Sequence, residues 1–325
     1  MYDIEVSVAM ITYNHGKFVR QAIDSILRQK VNFKFEVIIG DDCSPDNTQE
    51  ILKEYKEKYP DVINLILRKK NIGGPANIYD VYHHCRGRYI AQLEGDDFWT
   101  DDNKLQTQVD FLNNNPNILS VAHRTEIVDI EGVNKGYNLS TVKLNQFFNK
   151  SDAIKYGAGL LHPSSLVFRN FIYGSDEKYS IIRDSNKYGN HTLMIYLMAI
   201  NSDIYIIDQS MSAWRCVVEE NATNYTSMAQ RNPYEAHRNT FIMYNNYRNY
   251  FKKDYNFDKI IVLEFISCCK LVLKSTLNKT NEIKNLYKFL TIKDRFGLPI
   301  YLIRRIASSF LRKSKSIIQR MIFNA

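Results

Sequence analysis

The stretch that decides the fold is Tyr89-Ile90-Ala91-Gln92-Leu93-Glu94-Gly95-Asp96-Asp97-Phe98-Trp99, an apolar run that breaks into three carboxylates within four residues. Tyr89 to Leu93 reads as a buried strand, and the acids are appended to its end. Upstream, the same alternation recurs. Strand patterns at Val6 to Ile11, Phe35 to Gly40 and Val62 to Leu67 alternate with helical patterns at Phe18 to Arg28, Thr48 to Tyr59 and Ala76 to His84. Downstream, Lys104 to Asn114 reads as a helix and Ile118 to Ala122 as a strand. This order predicts an α/β fold, a mostly parallel sheet flanked by helices on both faces.

In such sheets the ligand crevice lies beyond the carboxyl ends of the strands. Three polar clusters fall there: Thr12-Tyr13-Asn14, Asp41-Asp42-Cys43-Ser44 and Glu94 to Asp97. Ser44 and Asp46 alone would read as caps of the following helix. Three clusters on one sheet edge point to a shared ligand site. Beyond about residue 130 the pattern weakens. Leu160 to Phe168 reads as a loop entering a strand, Thr192 to Ile200 as a helix and Ile204 to Ile207 as a strand. From Asn232 onward, Phe241, Tyr244, Tyr247, Tyr250 and Phe251 recur at helical spacing.

Composition sets the outer limits. Of 325 residues, 45% are hydrophobic and 24% charged, enough for a sizeable core and against wholesale disorder. The longest nearly apolar stretch, Ile260 to Leu273, carries Glu264 and Lys270 and is short of the roughly 20 residues a membrane span needs. The start, Met1-Tyr2-Asp3-Ile4-Glu5, lacks the basic and apolar regions of a signal peptide, so a cytoplasmic chain is expected. Five scattered cysteines without CxxC spacing argue against disulfides and zinc.

The net charge of +8 is concentrated in the segment from Lys293 to Ala325, which has eight basic residues and one acid, Asp294. The rest of the chain is nearly neutral, which excludes a nucleic-acid binder. Ile303, Ile306, Phe310, Leu311, Ile317, Ile318 and Met321 form an apolar stripe at helical spacing, with Arg305, Arg312, Lys313 and Arg320 opposite or on the flank. Such a helix suits an anionic membrane surface. The same stripe could dock on its own domain or mediate a homo-oligomer.

Hard carboxylate oxygens at the spacing of Glu94, Asp96 and Asp97 suit Mg²⁺ or Mn²⁺, particularly beside a substrate's phosphates. Phe98, Trp99 and the preceding strand imply a semi-buried setting, where bare carboxylates are costly without a cation.

Taken together, Val6-Ser-Val-Ala-Met-Ile-Thr-Tyr-Asn14, Asp41-Asp-Cys-Ser44, Asn71-Ile-Gly73, Arg86-Gly-Arg-Tyr-Ile90 and Glu94-Gly-Asp-Asp-Phe-Trp99 resemble, in order and spacing, the family-2 glycosyltransferases of the GT-A (Rossmann-like) fold. The resemblance covers about residues 5–225. It implies a GT-A domain at 1–225, with a donor half at about 1–125 and an acceptor half at about 126–225. A helical region at 226–325 would follow, ending in the basic amphipathic helix.

The resemblance also implies roles. Tyr13 would stack on the nucleobase with Thr12 and Asn14 beside it. Asp42, second acid of the Asp41-Asp42 pair, would accept from uracil N3–H and favour a UDP-sugar. Asn77 would line the diphosphate, Asp96 with Glu94 would bind the metal, and Asp97 and Trp99 would shape the sugar pocket. His162-Pro-Ser-Ser165 and Arg169 match a segment near the acceptor. The family inverts at the anomeric carbon, using an Asp base at a helix start. Here that position reads Gly189-Asn190-His191-Thr-Leu193, and an amide is no base, so Asp184 or His191 would have to substitute. Trp214-Arg-Cys-Val217 likewise departs from the family's Tyr-Arg-x-His.

The expected function is metal-dependent inverting transfer from a UDP-sugar to a glycan or lipid-linked precursor of a surface polysaccharide, at the inner face of the membrane. The alternative is a nucleotide-sugar-binding pseudoenzyme partnering an active transferase. A nucleotidyltransferase is disfavoured by the lack of a glycine-rich phosphate loop with a following Lys or Arg.

Overall fold

A computed structural model describes residues 3–139, 144–156, 160–186, 191–216, 225–274, 280–295 and 298–299. The chain divides into two compact units, 1–228 and 229–325. The strands of the first unit are β1 (Val6–Thr12), β2 (Phe35–Asp41), β3 (Ile63–Leu67), β4 (Tyr89–Glu94), β5 (Phe98–Trp99), β6 (Ser120–Val128), β7 (Asn134–Tyr137), β8 (Gln146–Phe148), β9 (Val167–Arg169) and β10 (Ile204–Arg215). Between them run α1 (Val19–Leu27), α2 (Thr48–Lys58), α3 (Gly74–His84), α4 (Lys104–Asn114), α5 (Lys150–Tyr156), α6 (Ile181–Asp184) and α7 (His191–Asn201), and α8 (Tyr225–Arg231) follows.

One sheet takes the order β3-β2-β1-β4-β9-β6-β10-β5, with β7 beside β6 and β8 beside β10. β1 pairs in parallel with both β2 and β4. Parallel central strands are covered on both faces, which is why these three read as largely apolar runs, each interrupted once, at Ser7, Glu36 and Gln92. Val6, Val8 and Met10 join Ala22, Ile23 and Ile26 of α1 and Leu105, Val109 and Leu112 of α4 in one core. Alternate residues turn to the other face, where α3 packs on β1 and β2.

The chain steps outward from β1 to β2 to β3, then returns to place β4 on the other side of β1. The strand order therefore reverses between β1 and β4, and the crevice at their carboxyl ends is the switch point where such sheets bind ligands. Ile11 lies level with Glu94, and Thr12 with Asp41. This brings all three sequence clusters to one edge.

The second half departs from simple alternation. β9 runs antiparallel between β4 and β6, joining the parallel left half to the parallel pair of β6 and β10. β10 runs to Arg215, well past the expected end at Ile207, through an irregularity in register between Ile207 and Ser212. Asp208 and Gln209 are exposed there, so a polar interruption hides the strand's continuation from a hydropathy reading.

In the second unit, α9 (Pro233–Phe251), α10 (Asp258–Lys274) and α11 (Thr280–Lys288) are helical, in keeping with their spacing. The Asn232 side chain caps α9 by accepting from the Glu235 amide at 3.2 Å. Phe241, Tyr244, Tyr247 and Phe251 bury one face of α9, and the Tyr247 and Phe257 rings lie 5.9 Å apart. Among the described residues no helix is long and apolar enough to cross a membrane. The basic amphipathic helix expected over 303–322 lies outside them.

Candidate active site

The loops after β1 and β2 are knitted together. Asp41 accepts from Thr12 Oγ1 at 2.8 Å, from Gln49 Nε2 at 2.6 Å, and from both the amide and the hydroxyl of Ser44. Ser44 Oγ in turn accepts from the Asn14 amide at 2.9 Å. Asn14 and Cys43 both adopt left-handed backbone, φ 60° and 63°, which reverses each loop at the strand end. Tyr13 is left projecting at the mouth, 37% exposed. Asp42 accepts the amides of Ile72 and Gly73, each at 2.8 Å, and so draws the start of α3 to the crevice.

Glu94, Asp96 and Asp97 form the acidic turn between β4 and β5. One oxygen from each lies within 4.8 Å of the others. Gly95 is required by close approach: a Cβ there would sit 2.6 Å from Thr12 Cγ2 and 2.8 Å from His15 Nδ1. Burial, followed by the neighbouring Asp96 charge, pushes the Glu94 carboxyl up to about 8. Asp97 is also raised, chiefly by burial and then by Asp96 and Glu94, with Arg215 acting against the shift.

Asp97 Oδ1 accepts the Arg215 amide at 2.9 Å, but Asp97 Oδ2 and Asp96 Oδ1 are buried without a hydrogen-bond partner. An unsatisfied buried acceptor costs about 1–3 kcal/mol. Such oxygens in a group of three close carboxylates fit a divalent cation, and an all-oxygen donor set fits Mg²⁺ or Mn²⁺. His15 Nε2 and His162 Nδ1 flank the turn, 3.7 Å from Asp96 and from Asp97. The His162 ring stacks on Trp214 with centroids 5.1 Å apart.

Several residues expected to line the pocket instead support it from behind. Asp41 is fully buried and committed to four donors. Asn77 donates to the Gly40 carbonyl at 2.7 Å and accepts from Arg68 Nε at 3.0 Å, which locks α3 to β2 and β3. Trp99 is fully buried, with Nε1 donating to the Ser164 carbonyl at 3.1 Å. Thr12, Tyr13, Asn14, Asp42, Glu94, Asp96 and Asp97 are gathered at the crevice.

The catalytic-base candidates are not brought there by any contact among the described residues. Asp184 is exposed on α6, and both its oxygens are taken by Arg183. Asn190 lies outside the described residues, and of His191 only the backbone, at the start of α7, is described. Two residues were given no role in the sequence reading. Lys104 is wholly buried beside the Trp99 ring, with Nζ 2.7 Å from Gln108 Oε1. Arg215 anchors the acidic turn. No hydropathy signal marks Lys104, which follows Asp101, Asp102 and Asn103 at the start of α4 and is buried on the face that also carries Gln108 and Leu112.

The parallel sheet and the acidic turn at its switch point define the class, a GT-A glycosyltransferase architecture. TarS of S. aureus in complex with UDP-GlcNAc shares this fold, at 17% identity over 87% of this chain and 79% of that one, with a TM-score of 0.57. EpsE of Bacillus subtilis, whose name describes a glycosyltransferase, is 32% identical over 161 residues, 50% of this chain and 57% of that protein. TuaG of the same organism, named for teichuronic acid biosynthesis, is 36% identical over 107 residues, 33% of this chain and 41% of that protein. The match thus spans only about half the length of these relatives. Residues 7–174 match the family described as glycosyl transferase family 2, and the chain belongs to that family.

Proposed function

We propose that the chain transfers a sugar from a UDP-sugar to a hydroxyl of a glycan or lipid-linked precursor of a cell-surface polysaccharide, with inversion and with Mn²⁺ or Mg²⁺. The observation that carries this reading is the acidic turn, where one oxygen from each of Glu94, Asp96 and Asp97 lies within 4.8 Å of the others and Asp96 Oδ1 and Asp97 Oδ2 are buried without a hydrogen bond. Tyr13 offers a face for the nucleobase. Asp42 takes two amides, and its oxygens keep capacity for the uracil N3–H. Glu94, Asp96 and Asp97 would hold the cation, whose contribution is to neutralise charge developing on the leaving diphosphate. The chain's own part is to hold nucleotide and acceptor in line and to receive the acceptor's proton.

The envelope-polysaccharide part draws on the name of TuaG, and the membrane part on the basic segment from Lys293 to Ala325. We assign donor and acceptor chemistry to residues 1–225 and surface attachment to 226–325. The pseudoenzyme reading is not favoured: the acidic turn is intact, and EpsE and TuaG are named as glycosyltransferases. The test is release of UDP from a panel of UDP-sugars with Mn²⁺. The wild type should turn over at least one donor, and Asp96→Asn should lose that turnover by about 100-fold or more. A wild type inert toward every UDP-sugar, with and without added glycan acceptors, would overturn the assignment.

A further inference from the structure

Arg215 is the last residue of β10 and is 4% exposed. Its guanidinium holds the acidic turn through backbone rather than through a carboxylate. Nε donates to the Asp96 backbone carbonyl at 3.0 Å, one terminal nitrogen to the carbonyls of Ile130 and Asp129 at 2.8 and 3.2 Å, and the other to Gln21 Oε1 at 2.7 Å. The Phe18 and Phe98 rings lie 4.5 and 5.5 Å from the guanidinium carbon. The Arg215 amide meanwhile donates to Asp97 Oδ1.

One residue therefore grips the turn at two successive acids, and both grips avoid the atoms left over. Asp96 is held by its backbone, and Asp97 by only one of its two oxygens. Asp96 Oδ1 and Asp97 Oδ2 are left without a hydrogen bond, the latter with His162 Nδ1 at 3.7 Å. The guanidinium also ties the turn to α1 through Gln21 and to the loop after β6 through Asp129 and Ile130. A planar fork satisfies three separate elements at once, which an ammonium of the same charge cannot do.

We infer that Arg215 is a positioning residue that holds the 94–97 turn so that the free oxygens of Asp96 and Asp97 converge with Glu94 on one divalent cation. The inference rests on the metal reading proposed above. Partners behind a metal ligand commonly change affinity about 10–100-fold when removed.

The test is calorimetric titration of the full chain with Mn²⁺ alone, on wild type, Arg215→Lys and Gln21→Ala. Arg215→Lys keeps the charge and loses the fork, and should weaken Mn²⁺ binding about tenfold with the number of sites per chain unchanged. Gln21→Ala removes one anchor from an exposed position on α1 and should weaken it about threefold. A merely structural role predicts the reverse pattern, fewer competent sites at an unchanged dissociation constant, and that result would overturn the inference. Wild-type affinity in both variants would overturn it too. Should Arg215→Lys fail to fold, Gln21→Ala decides alone, and unchanged affinity there counts against the proposal. Absence of Mn²⁺ binding by the wild type would remove the metal reading itself, and this inference with it.

Discussion

Asp41 holds four hydrogen bonds inside the first unit, so truncating it strands Thr12, Ser44 and Gln49 at once. Asp41→Ala should lower unfolding free energy by about 3 kcal/mol, read from urea denaturation. A loss below about 1 kcal/mol would mean the loops are held by something else. Lys104 tests a different cost. Burial drives its pKa well below the ordinary value, so the folded chain holds this proton less tightly than the unfolded one. That penalty grows as pH falls from the unfolded pKa toward the folded one. Lys104→Met should therefore stabilise the fold more at pH 7 than at pH 9, and a gain independent of pH would contradict the lowered pKa. In sequence, Asp41 and Asp42 are indistinguishable acids at a strand end. Only the hydrogen-bond partners, drawn from residues up to 31 positions away, tell them apart: Asp41 ties the loops after β1 and β2 together, and Asp42 holds the amides before α3. Glu94 and Asp96 stood out in the sequence as acids closing an apolar strand, and the structure gathers one oxygen from each with one from Asp97 within 4.8 Å.

The turn between β4 and β5 is the element on which the site depends. Gly95→Ala would drive a Cβ into Thr12 and His15, and overpacking of this kind costs about 1–3 kcal/mol. The expected outcome is a lower melting temperature together with weaker Mn²⁺ binding, since the turn must move to make room. A lower melting temperature with unchanged Mn²⁺ affinity would separate the turn's packing from its geometry. The first four strands and their helices were readable because each carries a local period and closes within a few tens of residues. β5, β7, β8 and β9 have two to four residues each and exist through pairing with distant partners. Such strands carry no period of their own. Leu160 to Phe168 reads as a loop entering a strand, and β9 lies at its end, but its antiparallel place between β4 and β6 was hidden for that reason, and with it the route by which β10 delivers Arg215 to the acids.

At the scale of the whole molecule, the charge asymmetry makes its own prediction. The segment from Lys293 to Ala325 carries eight basic residues against one acid, while the rest is nearly neutral. Each basic residue near an anionic surface adds about 1 kcal/mol. The full chain should sediment with phosphatidylserine vesicles at low salt and be released at high salt, and deletion after about residue 297 should abolish binding. Salt-insensitive binding, or none at low salt, would leave the segment to some other purpose. The central claim is the donor site, and calorimetry tests it most directly. UDP, GDP and CDP would each be titrated with and without Mn²⁺ into wild type and Asp96→Ala. The account predicts that UDP binds best, that its binding needs Mn²⁺, and that Asp96→Ala abolishes it. Failure to bind any of the three, or equal UDP binding by the variant without metal, would contradict it.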